Sequence, residues 1–301
     1  MRKLGYSILG ILLIGLIWYL FLKPYDYTIR FKTQTFPGAI NQTLKKWDKN
    51  LTPIKKIEQN SSIYDLTQHL KFNDSTYRYQ WHIQALSDST SRVQVNVSDV
   101  DNSFMNKISV PFSDTDFEKR SRKTVKAFIK VLDKHINEFK VKVIGKESLP
   151  STYCAYVQIE TKQTEKALGM IKNFSYLLGF LKENQIEQAG IPFVEITQWN
   201  QETDRVVYNF CFPIVYHDSL PTHKEIKYKK TKAINALKAV YNGNYITSDR
   251  SWYKLLDYAK KENIAVVPKP LEYFYNNPSQ GGNELQWKAE VYVPLRNNTN
   301  E

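Results

Sequence analysis

The sequence predicts an α+β fold in three parts: an apolar N-terminal transmembrane helix, a unit of alternating strands closed by one long helix, and a unit in which strand, helix, strand, strand occurs twice. Three observations carry this. Leu4 to Leu22, LGYSILGILLIGLIWYLFL, is a run of 19 residues without a charge. Two stretches, STYRYQWHIQAL and SRVQVNVSDV, alternate apolar and polar side chains with the period of half-buried strands. LLGFLKENQIEQAGIPF, from Leu177, lines up with LLDYAKKENIAVVPKPL, from Leu255.

At about 1.5 Å of rise per residue, the apolar run nearly crosses the ~30 Å hydrocarbon core of a bilayer. It ends Trp18-Tyr19-Leu20-Phe21-Leu22-Lys23-Pro24, with no small-residue cleavage site, so residues 1–23 are expected to form an uncleaved anchor with membrane contact through residues 4–22. Arg2 and Lys3 compete with Lys23, Arg30 and Lys32 for the positive side. The expected orientation keeps the amino end inside and the remaining domains periplasmic or extracellular.

Behind the anchor, YDYTIRFKTQTF alternates as a strand, and Pro37-Gly38 opens a helical segment, Ala39 to Lys49, with Ile40, Leu44 and Trp47 on one side. In the strands that follow, Tyr77, Tyr79, Trp81 and Ile83 share a face, as do Val93, Val95 and Val97. Val125, Phe128, Leu132, Ile136 and Phe139 then recur at helical intervals. This order resembles the START-like, helix-grip superfamily, which implies a cavity between the long helix and a curved sheet over residues 24–145 and does not specify its ligand.

Lys140 to Tyr153, with Gly145 and Pro150, is expected to connect the two units. In the second unit, residues 146–301, each repeat runs through a polar turn into a strand ending in proline, FCFPI at Phe210 and VYVPL at Val291, and pairing the repeats leaves a groove between them. The turn YNGNYITSDRSWYKLLDY, the segment PLEYFYNNP and the terminal AEVYVPL resemble the bacterial effector-binding domain, also called gyrase-inhibitor-like, over about Tyr153 to Arg296. Asn244 stands where that family usually has proline, and Ala289 where threonine is common.

The resemblance implies that the acid of the last strand, Glu290, points into the groove. It further implies aromatic walls from Tyr245, Trp252, Tyr273, Tyr275 and Tyr292, with Asn209 as the repeat-mate of Glu290. Aromatic faces and a partly desolvated carboxylate suit an apolar or lipophilic cationic small molecule. Three alternatives stand beside this. A lone Glu on a strand is ordinarily solvated, Tyr273 and Tyr275 serve equally as sheet packing, and Trp252 serves equally as a core anchor of its helix. Some members of the family hydrolyse reactive electrophiles with this acid, so a hydrolase acting through Glu290 is a second reading, and a protein-interaction scaffold a third.

Other chemistry is excluded or unspecified. The sequence holds no phosphate-binding glycine loop, no G-x-S-x-G and no H-E-x-x-H, and its five histidines are scattered, so neither a metal nor a cofactor is expected. Cys154 and Cys211 permit one disulfide but are expected to be buried free thiols. The net charge of +12 is compatible with anionic partners. No helix-turn-helix pattern is found, and nucleic acid is not expected; a protein partner is unidentified. The basic run HKEIKYKKTK, from His223, puts Lys224, Lys230 and Lys232 on one face and Lys227 and Lys229 on the other, the pattern of a solvated edge strand.

Overall fold

In the computed structural model, residues 2–51, 53–60 and 62–296 are described, and they form two compact units, Met1–His135 and Ile136–Glu301. The first opens with helix α1 (Arg2–Ile17), followed by a π-helical turn, Trp18–Leu22. Strand β1 (Tyr27–Thr33) and helix α2 (Pro37–Asp48) precede the meander β2 (Pro53–Gln59), β3 (Asp65–Phe72), β4 (Ser75–Ala85) and β5 (Ser91–Asp99), and α3 (Ser103–Ser109) and α4 (Asp116–Ile136) close the unit.

The expected membrane anchor does not stand. The α-helix stops at Ile17, so it reaches only roughly 24 Å at about 1.5 Å per residue, and among the described residues no helix is long and apolar enough to cross a membrane. The end of the apolar run is instead held by α3. The Tyr19 hydroxyl donates to the Lys107 carbonyl (3.1 Å), the Lys107 ammonium donates to the Lys23 carbonyl (2.6 Å), and the Phe21 ring lies 5.6 Å from that of Phe104. With the anchor go the single-pass localisation and the membrane contact through residues 4–22. The charge comparison at Arg2 and Lys3 falls on residues whose side chains lie outside the described ones.

The strand order of the first unit, β1-β5-β4-β3-β2, follows from the meander folding back so that β5 pairs antiparallel with β1. Alternation decides which face is covered. Tyr79, Trp81, Val93, Val95 and Val97 are fully buried, and Phe128 of α4 meets Trp81 edge-on at 5.0 Å and Trp47 of α2 at 5.4 Å. A cavity of about 650 Å³ lies at one end of α4, with Trp47, Leu70 and Phe72 among its apolar walls and Lys71, Arg120 and Lys123 among its polar ones.

The second unit begins earlier than the sequence suggests. The segment read as a connection is strand β6 (Phe139–Leu149), which pairs with the later strand Ile234–Gly243 and tolerates a bulge there because Gly145 takes φ +120°, a conformation closed to most side chains. The duplication appears as β7 (Tyr153–Lys162), α5 (Lys166–Glu183), β8 (Phe193–Asn200) and β9 (Arg205–Pro213), then β11 (Ile234–Gly243), α6 (Arg250–Lys261), β12 (Leu271–Phe274) and β13 (Lys288–Pro294). Between the repeats lies β10 (Lys227–Lys230). One eight-stranded sheet in the order β10-β7-β9-β8-β12-β13-β11-β6 joins the copies, so β8 and β12 meet at its centre.

Buried polar bonds tie the repeats together under the helices. The Lys166 ammonium, at the start of α5, is fully buried and pairs with Glu272 of β12, while the Ser248 hydroxyl accepts from it at 2.8 Å. Gln163 likewise joins Asp249 and Tyr253, and accepts from the Trp199 indole at 2.8 Å. These charges meet their partners across the two copies, so each repeat completes the other's core.

Candidate functional site

The helices identify one face of the second sheet. Phe212 packs on Phe174 of α5, the Tyr208 hydroxyl donates to the Lys166 carbonyl, and Glu272 accepts from Trp252 of α6, so residues of this parity lie beneath the helices. By strand alternation, their neighbours occupy the opposite face. The register sets them in two transverse rows: Asn209, Glu195, Leu271, Tyr292 and Lys238 in one, and Tyr156, Cys211, Phe193, Tyr273 and Glu290 in the other.

The centre of this face is apolar. Cys154, Phe193, Cys211, Ala236, Leu271 and Tyr292 form a buried cluster, edged by Leu149, Tyr156, Ile234 and Tyr273. Tyr273 stacks on Phe193 at 4.9 Å and meets Tyr292 edge-on at 5.8 Å. The two cysteines are free thiols, as expected. A hydrogen bond with Cys211, aided by the charge of Lys229, lowers the Cys154 pKa against the effect of burial, whereas burial and the same contact push the Cys211 thiol up.

Glu290 stands at one side of this floor and is not simply solvated. One carboxylate oxygen accepts from the Tyr275 hydroxyl at 2.8 Å and the Tyr292 hydroxyl at 3.0 Å, with the Lys238 ammonium at 3.2 Å. The other receives the Lys288 ammonium at 2.8 Å, and that ammonium lies 4.2 Å from the centre of the Tyr275 ring. Burial by itself would raise the carboxyl pKa, but hydrogen bonds from Lys288, Tyr275, Tyr292 and Lys238 together outweigh it and hold the value at about 2. Burial, and then the adjacent carboxylate, push Tyr275 up to about 12.

Across the floor, Glu195 repeats the chemistry with different partners. It accepts from the Asn209 amide at 2.8 Å and pairs with Lys229 of β10, whose ammonium lies 4.9 Å from the centre of the Tyr156 ring. Burial lowers the Lys229 pKa. With its amide nitrogen committed to Glu195, Asn209 keeps a buried carbonyl oxygen that has no hydrogen-bond partner among the described residues. β10 is an edge strand, but Lys229 turns inward and is not a solvated lysine of that edge.

Of the residues singled out from the sequence, Glu290, Tyr275 and Tyr292 are in direct contact, Tyr273 is their neighbour, and Asn209 lies on the same face beside Glu195. Two belong elsewhere. Trp252 is fully buried beneath α6 and donates its indole hydrogen to Glu272 at 2.9 Å, which makes it the core anchor of its helix. Tyr245 is buried in the turn before α6, where its hydroxyl donates to the Lys288 carbonyl at 2.8 Å and accepts from the Asn276 amide at 3.1 Å. It holds the start of β13 in place rather than lining the floor. Glu195, Lys229, Lys238, Lys288 and Tyr156 escaped the sequence reading. A lysine between Ala236 and Val240 on one strand face was the available signal for Lys238.

No family model and no curated protein matches the chain. Solved structures similar to part of it include the C-terminal domain of EcmrR, 12% identical over 52% of this chain and 98% of that one, with a TM-score of 0.44. A hydrolase from Listeria innocua is 10% identical over 50% of this chain and 92% of its own, with a TM-score of 0.33. SAV2435 bound to tetraphenylphosphonium is 13% identical over 53% and 94%, with a TM-score of 0.32.

Proposed function

We propose that the second unit is an effector-binding, gyrase-inhibitor-like domain that takes an apolar or lipophilic cationic small molecule on the face between its repeats. The observation that carries this reading is the seat of the Lys288 ammonium. It is held by the Glu290 carboxylate and by the face of Tyr275, the pair of interactions that a cationic ligand group requires. Lys288 is 41% exposed and sits at the start of its strand, so it can swing into water and leave the seat to a ligand. Tyr273 and Tyr156, only partly buried at the edge of the apolar cluster, supply the adjoining apolar contact.

The hydrolase reading is weaker on the same geometry. A carboxylate with a pKa of about 2 is a poor proton acceptor near neutral pH. For the first unit, we keep the START-like, helix-grip reading as a proposal. It is supported by the order strand, helix, meander, long helix and by the cavity beside α4.

Calorimetry with tetraphenylphosphonium and with neutral aromatic analogues of similar size tests the groove. Glu290→Gln, a nearly isosteric change, is expected to weaken the phosphonium, which has no hydrogen to donate and feels the carboxylate only through its charge, by about 1 to 3 kcal/mol, the scale of a partly buried charge pair roughly 6 Å apart, and the neutral compounds less. Glu284→Gln, at a site on the turn before β13 where the amide still accepts from Asn244, is expected to leave both unchanged. Equal binding of every compound by the parent and Glu290→Gln would remove Glu290 from the site.

A further inference from the structure

The face of the first sheet opposite α2 and α4 carries a second concentration of chemistry. A row crosses four strands in register: Arg30 of β1, Gln94 of β5, His82 of β4 and Asp65 of β3. Arg92 lies two residues from Gln94 on β5, so it is the diagonal neighbour of Arg30, at about 7 to 8 Å between backbones, within reach of two long side chains. Together with Tyr64 and Gln84 these residues line a cleft of about 360 Å³.

The polar groups are oriented, and their charges do not cancel. Arg30 donates its Nε hydrogen to Gln94 Oε1 at 2.8 Å, which fixes the guanidinium plane and leaves its two terminal nitrogens for another acceptor. Gln94 is fixed in turn by donating to Asn96 at 3.1 Å. The single carboxylate of the cleft is already engaged: Asp65 Oδ1 meets His82 Nδ1 at 2.7 Å, and Oδ2 accepts from the Ser62 hydroxyl at 3.2 Å. The imidazole therefore keeps Nε2 for the cleft. Among the described residues Arg92 has no carboxylate partner, and Lys32 stands opposite it across the strand pair, so the cleft has two guanidiniums against one committed acid.

We propose that this cleft binds a phosphate monoester, with Arg30 and Arg92 gripping the phosphoryl oxygens; the His82 ring adds a third contact in its doubly protonated form, in which Nδ1–H stays on Asp65 and Nε2–H donates to a phosphoryl oxygen. Guanidiniums present planar forks of donors that match the oxygens of a tetrahedral dianion, and two of them from adjacent strands converge on one such group. A carboxylate offers only two oxygens in one plane and would leave one fork unused. The volume admits the phosphate with a small organic group. Both a soluble ester and a lipid headgroup carry this chemistry.

The test is calorimetry of the full-length chain with glycerol 3-phosphate, alongside sedimentation with vesicles of phosphatidylcholine alone or with phosphatidic acid. The expected result is saturable binding that falls at least about tenfold in Arg30→Gln and in Arg92→Gln, each of which removes a charge-assisted contact. Arg205→Gln, an exposed arginine of the second unit paired with Glu160, is expected to bind as the parent does. Binding of the free ester with this pattern identifies a soluble ligand, and binding only of phosphatidic acid vesicles with the same pattern identifies a headgroup. No saturable response in either arm, or equal responses of the parent and both cleft variants, overturns the proposal.

Discussion

Acidification is the sharpest perturbation of the Glu290 cluster. The carboxyl sits at about 2 in the folded chain against a reference value of 4.5. A folded value below the unfolded one contributes stability that is present in full above the unfolded pKa and is lost as pH falls through the folded one. Between pH 5 and pH 3 the unfolded chain takes up about three-quarters of a proton at this position while the folded chain takes up little, a loss of about 2 kcal/mol. The side chain is 12% exposed and its partner Lys288 much more so, so screening by water reduces the expected loss to about 1 kcal/mol. Glutamine at 290 keeps acceptors for Tyr275 and Tyr292 but does not titrate. Urea unfolding of the full-length parent and Glu290→Gln at pH 7, 5, 4 and 3, followed by tryptophan fluorescence, measures the difference. The parent's advantage is expected to be constant from pH 7 to about 5 and then to shrink by about 1 kcal/mol by pH 3. A gap that stays constant to pH 3 would refute the claim that four donors hold this carboxylate charged.

Three further outcomes follow from the same contacts. Lys288→Met empties the ammonium seat while keeping most of the side-chain length, and is expected to tighten tetraphenylphosphonium binding by about 1.5- to 5-fold in calorimetry, the effect of removing one partly exposed competing ion pair. Lys166→Met leaves Glu272 buried without its cation and is expected to cost about 3 to 5 kcal/mol in denaturant unfolding, whereas Lys166→Met with Glu272→Gln, which removes the unpaired charge and keeps an acceptor for the Trp252 indole, recovers part of that. Trp252→Phe loses the indole bond to Glu272 and is expected to cost about 1 to 3 kcal/mol of stability with no change in ligand affinity; a selective loss of binding in a stably folded variant would return Trp252 to the site.

Periodicity made much of the fold legible. The repeat from Leu177 and Leu255 placed both strand, helix, strand, strand units, and the alternation in Tyr77 to Ile83 and Val93 to Val97 marked the covered face of the first sheet. What failed depends on contacts distant in sequence. The hydropathy of Leu4 to Leu22 carries no sign that Lys107 hydrogen-bonds the end of the run. Gly145 reads as a linker residue because glycine serves a bulge and a turn by the same freedom of φ. At the site, the family resemblance pointed to Glu290 and its two tyrosines, but composition cannot show that Lys238 and Lys288 converge on that carboxylate from neighbouring strand positions. Trp252 illustrates the converse: an aromatic near a groove in sequence lies under the helices because Glu272 accepts its indole hydrogen there.

The most direct measurement is the location of a bound cation. A photoreactive aryl phosphonium, irradiated with the full-length chain and mapped by mass spectrometry after proteolysis, is expected to label peptides that contain Tyr273, Tyr275 or Tyr292, with labelling suppressed by excess tetraphenylphosphonium and reduced in Glu290→Gln. Labelling confined to the first unit, or spread over the surface and unaffected by the competitor, would contradict a ligand site on the face between the repeats.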